Sequence, residues 1–183
     1  MIVLASASPR RKRLLKRVVR TFSVAPARID ERIRRGEPFS RACVRLAREK
    51  ARAVARKRPC AIVIGVDTVA YLGSMNCRKT GSAAQARKIL RALSGRAHVV
   101  ATGVCVIFPG GREVAYCEKV EVKMKKIMPQ MLEWYMKGGE WKGRAGSYDV
   151  SGKGARLVAS VKGERETVTG LPLLKLKLIL KKK

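Results

Sequence analysis

Amide side chains are almost missing from this chain: Asn76, Gln85 and Gln130 are the only three. Histidine occurs once, as His98. The five cysteines, Cys43, Cys60, Cys77, Cys105 and Cys117, include no CxxC pair. One histidine and scattered thiols exclude zinc-finger chemistry. Their odd number argues against a disulfide framework and fits unpaired thiols in a reducing compartment. Aromatic residues make up only 5%, too few for a binder that works by stacking base after base. Long apolar runs are lacking too. Stretches such as Cys60–Val66 are a few residues long, against the ~20 needed for a membrane span. The apolar start, Met1–Ala5, is too short for a secretory signal and has no charged segment before it. The expectation is a cytoplasmic protein with no membrane contact.

Acidic residues are scarce: 13 against 42 Lys plus Arg, for a formal net charge of +29. The basic residues run along the whole chain rather than forming one block. That pattern fits a solvated face or adaptation to a salty or hot cytoplasm, and the shortage of amides fits a thermophile. Such a field draws in polyanions, nucleic acids and nucleoside triphosphates alike. Only three of the acids are Asp: Asp30, Asp67 and Asp149. In this background, a carboxylate set in an apolar strand stands out.

With 46% hydrophobic residues in 183 positions, a single domain with a real core is expected. Ile2–Ala5 reads as a buried strand. Ser8-Pro9 then opens a helix as N-cap and first helical residue. Thr21–Ala25 reads as a short strand and Phe39–Lys57 as a long helix. Ala61–Val66 is a β-branched run suited to a strand buried on both faces, ending at Asp67-Thr68. A loop over Leu72–Ser82 leads to a helix at Ala83–Leu93. His98–Phe108 and Glu113–Met124 read as strands joined through Pro109-Gly110-Gly111. Pro129–Lys137 reads as a helix, Ala155–Val161 as a strand, and Leu171–Leu180 as a closing helix with a lysine tail. Alternating strands and helices followed by a hairpin predict an α/β fold with a mixed sheet.

Three features bear chemistry. Ser6-Ala7-Ser8-Pro9-Arg10-Arg11 joins a strand end to a helix start, where amides, hydroxyls and guanidiniums converge as a phosphate requires. An ordinary capped helix with exposed arginines reads equally well. Asp67 closes a buried strand, where open α/β sheets place ligands, or else caps the next turn. Lys50 and Lys79, taken alone among so many lysines, read as surface residues. His98 reads as a structural hydrogen-bonding residue. Trp134 and Trp141 read as packing beneath the glycine-rich segment, with stacking on a base as the other possibility.

Together these strings resemble the Maf/septum-formation family of nucleoside triphosphate pyrophosphatases. Leu4-Ala5-Ser6-Ala7-Ser8-Pro9-Arg10-Arg11, with Leu14-Leu15, is similar to the family's opening signature. Asp30-Glu31, Leu46–Ala51 and Ile64-Gly65-Val66-Asp67-Thr68-Val69 follow in the family's order. So do Lys79, Leu93-Ser94-Gly95-Arg96, Thr102-Gly103, Gly139-Glu140-Trp141 and Val168–Pro172. The resemblance implies an inosine triphosphatase-like fold, a mixed twisted sheet flanked by helices in two lobes with a central cleft. It also implies hydrolysis of nucleoside triphosphates between the α and β phosphates with a divalent metal. On the same resemblance, Ser6, Ser8, Arg10 and Arg11 hold phosphate, and Glu31 and Asp67 ligate Mg²⁺ or Mn²⁺. Asp67 also orients or deprotonates the attacking water, while Lys50 and Lys79 neutralise the leaving pyrophosphate. Thr68 points to dTTP, UTP or modified pyrimidine nucleotides, and the family often forms homodimers.

The sequence departs from the family at Ser151, where a glutamine is usual, which bears on base recognition. Asp149 nearby either compensates or is a turn residue. The rival reading is a basic nucleic-acid-binding protein on the same fold with weak or lost hydrolase activity. It accounts for the charge, but Glu31 and Asp67 would repel a phosphate backbone.

Overall fold

The computed structural model describes residues 1–181; the end of the lysine tail, Lys182 and Lys183, lies outside the described residues. Strands β1 (Ile2–Leu4), β2 (Ser23–Val24), β3 (Ile62–Leu72), β4 (Met75–Asn76), β5 (Ala97–Ile107), β6 (Glu113–Met124) and β7 (Val158–Lys162) form one mixed sheet. Its order is β2-β1-β3-β5-β6-β7, with β4 paired to β3. β1 runs parallel to β2 and to β3, whereas β4 on β3 and β7 on β6 are antiparallel. The helices are α1 (Pro9–Lys16), α2 (Phe39–Ala55), α3 (Ala83–Leu93), α4 (Pro129–Lys137), α5 (Arg165–Thr169) and α6 (Leu173–Lys181). The α/β class with a mixed sheet is as the sequence predicts. No helix of the described residues is long and apolar enough to cross a membrane.

The chain divides into two compact units. The first comprises residues 1–68, 101–118 and those from Gly170 onward; the second comprises 69–100 and 119–169. In the first, strand alternation builds two cores. Leu4, Ile62, Ile64, Val66, Val104 and Val106 pack with Leu14 and Leu15 of α1 and with Leu173, Leu176 and Leu180 of α6. The intervening residues Val3, Val63, Cys105 and Ile107 pack with Ala47, Ala51 and Val54 of α2. Each strand thus shows one face to α2 and the other to α1 and α6, as the two-residue strand period requires. The second unit has one core, in which Ile89, Leu90 and Leu93 of α3 meet Leu132, Tyr135 and Met136 of α4, and Val120, Val122 and Met124 of β6.

Helix α1 begins as its residues require, with Pro9 at its first turn and the Ser8 hydroxyl accepting from the Arg11 N–H at 3.5 Å. Helix α2 comes against the sheet at backbone distance. A Cβ on Gly65 of β3 would run into the Ala47 carbonyl, and one on Gly103 of β5 into the Cys43 carbonyl. Gly65→Ala is expected to cost about 1–3 kcal/mol by overpacking. Gly81→Ala, with open space around its Cβ, is expected to be neutral or slightly stabilising. Melting temperatures of the two variants check the contrast.

Three sequence expectations are corrected. β3 does not stop at Val66: it continues to Leu72 because residues 71 and 72 find a partner strand in Asn76 and Met75. Asp67 therefore lies inside a strand and caps no turn. The segment expected as a strand from Ala155 first makes a tight helical turn at Lys153–Leu157 before β7. Leu171 and Pro172 precede α6 rather than belonging to it. Cys43 Sγ and Cys117 Sγ lie 3.6 Å apart, and no disulfide joins the cysteines among the described residues.

Candidate active site

Asp67 follows Val63 and Gly65 on the face of β3 that meets α2, and there it meets Lys50. The lysine falls on the buried stripe of α2, whose other members include Cys43, Leu46, Ala47, Ala51 and Val54. Its Nζ lies 2.6 Å from Asp67 Oδ1 and 2.7 Å from Glu31 Oε1. Lys50 and Asp67 are both buried, whereas the Glu31 side chain is 50% exposed. One ammonium is thus held between an inner and an outer carboxylate. A charged pair out of water survives only when so closely compensated.

Thr68, the next residue, points to the opposite face and meets α1. The Arg11 guanidinium is buried on that side. Its Nε donates to the Gly170 carbonyl at 3.0 Å, and Nη1 to Val66 O at 2.9 Å and Ser6 Oγ at 3.1 Å. Nη2 donates to Thr68 Oγ1 at 3.0 Å. Burial lowers the Arg11 pKa, and the nearby Asp67 charge works the other way. The Thr68 hydroxyl also lies 3.0 Å from that of Thr102. Arg11 therefore acts here as a strut that fixes Ser6, the β3 backbone and Thr68, since most of its fork of donors is spent on protein acceptors. Arg10, the neighbouring guanidinium, is half-buried.

Glu31 and Asp67 meet the requirements of a divalent metal in donor type. The oxygens of both carboxylates converge on the Lys50 ammonium, and Mg²⁺ commonly takes one or two carboxylates along with substrate phosphates. Among the described residues, no group of three or more His, Cys, Asp or Glu is placed to form a complete protein cage.

Comparison with known proteins bears on this arrangement. The family model described as "Maf-like protein" matches residues 1–183. This chain belongs to the Maf-like family. It is 40% identical over 173 residues to the "dTTP/UTP pyrophosphatase" of Pyrococcus horikoshii, covering 94% of this chain and 91% of that protein. It is 39% identical over 173 residues to the "Nucleoside triphosphate pyrophosphatase" of Anaplasma phagocytophilum, covering 94% and 90%. Among solved structures, a HAM1 protein from Coxiella burnetii superposes with a TM-score of 0.55 at 15% identity, over 100% of this chain and 98% of that one. At that identity the likeness is one of fold alone.

The remaining residues expected in a Maf-like site lie in the second unit. Lys79 is exposed. Ser151 is exposed too, its Oγ 3.1 Å from Thr169 Oγ1. Asp149 is a turn residue: its Oδ1 accepts from the Ser151 N–H at 2.9 Å, and its Oδ2 from Arg144 Nε at 3.1 Å. A residue without an expected role, Glu140, organises this glycine-rich segment. Its carboxylate accepts from the Lys153 and Gly154 N–H groups, both at 2.8 Å, and from the Tyr135 hydroxyl at 3.1 Å. Its place in Gly139-Glu140-Trp141 is the only signal for it in the sequence.

His98 is structural, as expected. It is buried, with Nε2 2.8 Å from the Tyr148 hydroxyl, and burial pulls its pKa from 6.5 down to about 4. The folded state thus binds its proton later than the unfolded chain. The contribution is complete above pH 6.5 and is lost as pH falls towards 4, at about 1.4 kcal/mol per pH unit. His98→Gln is expected to flatten the fall in melting temperature between those pH values. An unchanged acid limb would show that another group controls it.

Proposed function

We propose that this Maf-like protein hydrolyses dTTP, UTP or related pyrimidine triphosphates to the monophosphate and pyrophosphate. The observation that carries the reading is the buried Lys50–Asp67 pair with Glu31 at its outer edge, in a chain so similar to proteins named for that activity. Asp67 is assigned to orient the attacking water and accept its proton through the oxygen not held by Lys50. Lys50 fixes Asp67 in direction through its 2.6 Å contact. Glu31 and Asp67 would hold Mg²⁺ or Mn²⁺, whose chemistry there is to neutralise phosphate oxygens. Ser6, Ser8 and Arg10, at the positive start of α1, are assigned to phosphate. Arg11 supports this group by holding Ser6 and Thr68. The Thr68 hydroxyl, pinned by Arg11, is assigned to the preference for pyrimidines. The roles of Lys79 and Ser151, a cytoplasmic location and a homodimer rest on the family resemblance alone.

The test is product analysis with dTTP, UTP and a purine triphosphate, with Mg²⁺ and with a chelator. Pyrophosphate should appear from the pyrimidine substrates, and the chelator should abolish it. Release of orthophosphate alone, or no turnover of any of the three, would overturn the reading.

A further inference from the structure

Helix α4 carries an aromatic ring that the second unit's core does not use. Trp134 is 37% exposed, whereas Trp141 is 4% exposed and packed in the core. The Arg156 guanidinium lies over the Trp134 ring, 5.0 Å from its centroid. Both line a surface groove of about 470 Å³ whose walls also include Lys125, Lys126, Met128 and Met131. Met128 is 56% exposed, and both lysines are exposed. Among the described residues, no carboxylate lines the groove. The adjacent acid in sequence, Glu133, is turned to Arg87, with Oε2 2.8 Å from Nη2.

We propose that this groove binds single-stranded nucleic acid. An unpaired base stacks on the Trp134–Arg156 pair, and the phosphates on either side are held by Lys125 and Lys126. The chemistry is that of single-strand platforms, in which an aromatic face takes the base and a cationic rim takes the backbone. The two methionines give an adaptable apolar floor. A duplex offers no unpaired face to such a ring, and an acidic peptide would satisfy the lysines but leave the tryptophan unused. The net charge of +29 brings any polyanion close; the groove supplies what charge alone does not. None of its residues belongs to the Lys50–Asp67–Glu31 group, so the proposal stands whether or not the hydrolase reading does.

The experiment uses the intact protein and labelled (dT)12 and (rU)12, with anisotropy measured across a salt series. Trp134→Ala should weaken binding of one or both strands roughly ten-fold, as loss of one stacked base predicts. The slope of log affinity against log salt should stay as in the wild type, because stacking displaces no counterions. Lys125→Gln with Lys126→Gln should lower that slope by about 1.4, from two lost phosphate contacts. Strand binding should quench tryptophan emission in the wild type and not in Trp134→Ala, since Trp141 is shielded. Should Trp134→Ala melt early, the lysine pair and the wild-type quench carry the test. The proposal fails if Trp134→Ala binds as the parent does, or if a duplex or poly-glutamate competes as well as the single strand. It also fails if Lys175→Gln with Lys177→Gln, on α6, lowers affinity as much as the Lys125/Lys126 change.

Discussion

Asp67→Asn is expected to lower kcat roughly 10²–10⁴-fold, the range for removing a positioned base, while shifting the melting temperature little. The substitution keeps the shape of the side chain and removes its charge. Asp67 lies within β3 rather than at its end, so no capping role explains a loss of activity. Stability is protected because Lys50 keeps its second carboxylate, Glu31, 2.7 Å away. Parallel kinetics and thermal melts decide the matter. A variant that melts like the parent and turns over dTTP within about threefold of it removes Asp67 from the mechanism.

Lys50→Met should do the opposite on the stability axis. Removing the ammonium leaves Asp67 buried without its 2.6 Å counter-charge, and breaking such a pair from one side costs about 3–5 kcal/mol. Activity should be lost as well, since Asp67 then loses the contact that orients it. Adding Asp67→Asn to Lys50→Met should restore part of the lost stability and none of the turnover. The coupling is read from a double-mutant cycle in denaturant. Additive effects would mean that the two side chains do not depend on each other, and the assigned geometry would fall.

Much of this architecture could be read from the residues. Ser8-Pro9 announced the start of α1 because a hydroxyl cap and a proline act locally. The β-branched run before Asp67 announced β3 for the same reason. The extent of β3 was not legible, because Asp67, Thr68 and Tyr71 interrupt the apolar run and the strand is completed by pairing with Met75–Asn76. Lys50 was hidden by number, one of 42 basic residues. Its place on the stripe with Cys43, Ala47 and Val54 was the signal, since a surface helix keeps its charges off that face. The role of Arg11 could not be read locally at all: its acceptors include Gly170, 159 positions away. Chemistry that depends on nearest neighbours in sequence was visible; chemistry that depends on which neighbour the sheet brings was not.

The bare contacts of Gly65 and Gly103 with helix α2 bear on how such an enzyme drifts over generations. Where main chain touches main chain, the spacing between β3 and α2 is set by atoms that every residue shares. The methyl groups filling the surrounding core can be exchanged without altering that spacing. A lineage can therefore rewrite most of its interior while the ammonium on α2 stays at the same reach from the carboxylate on β3. That freedom depends on Gly65 and Gly103, where an added side chain would meet the α2 backbone.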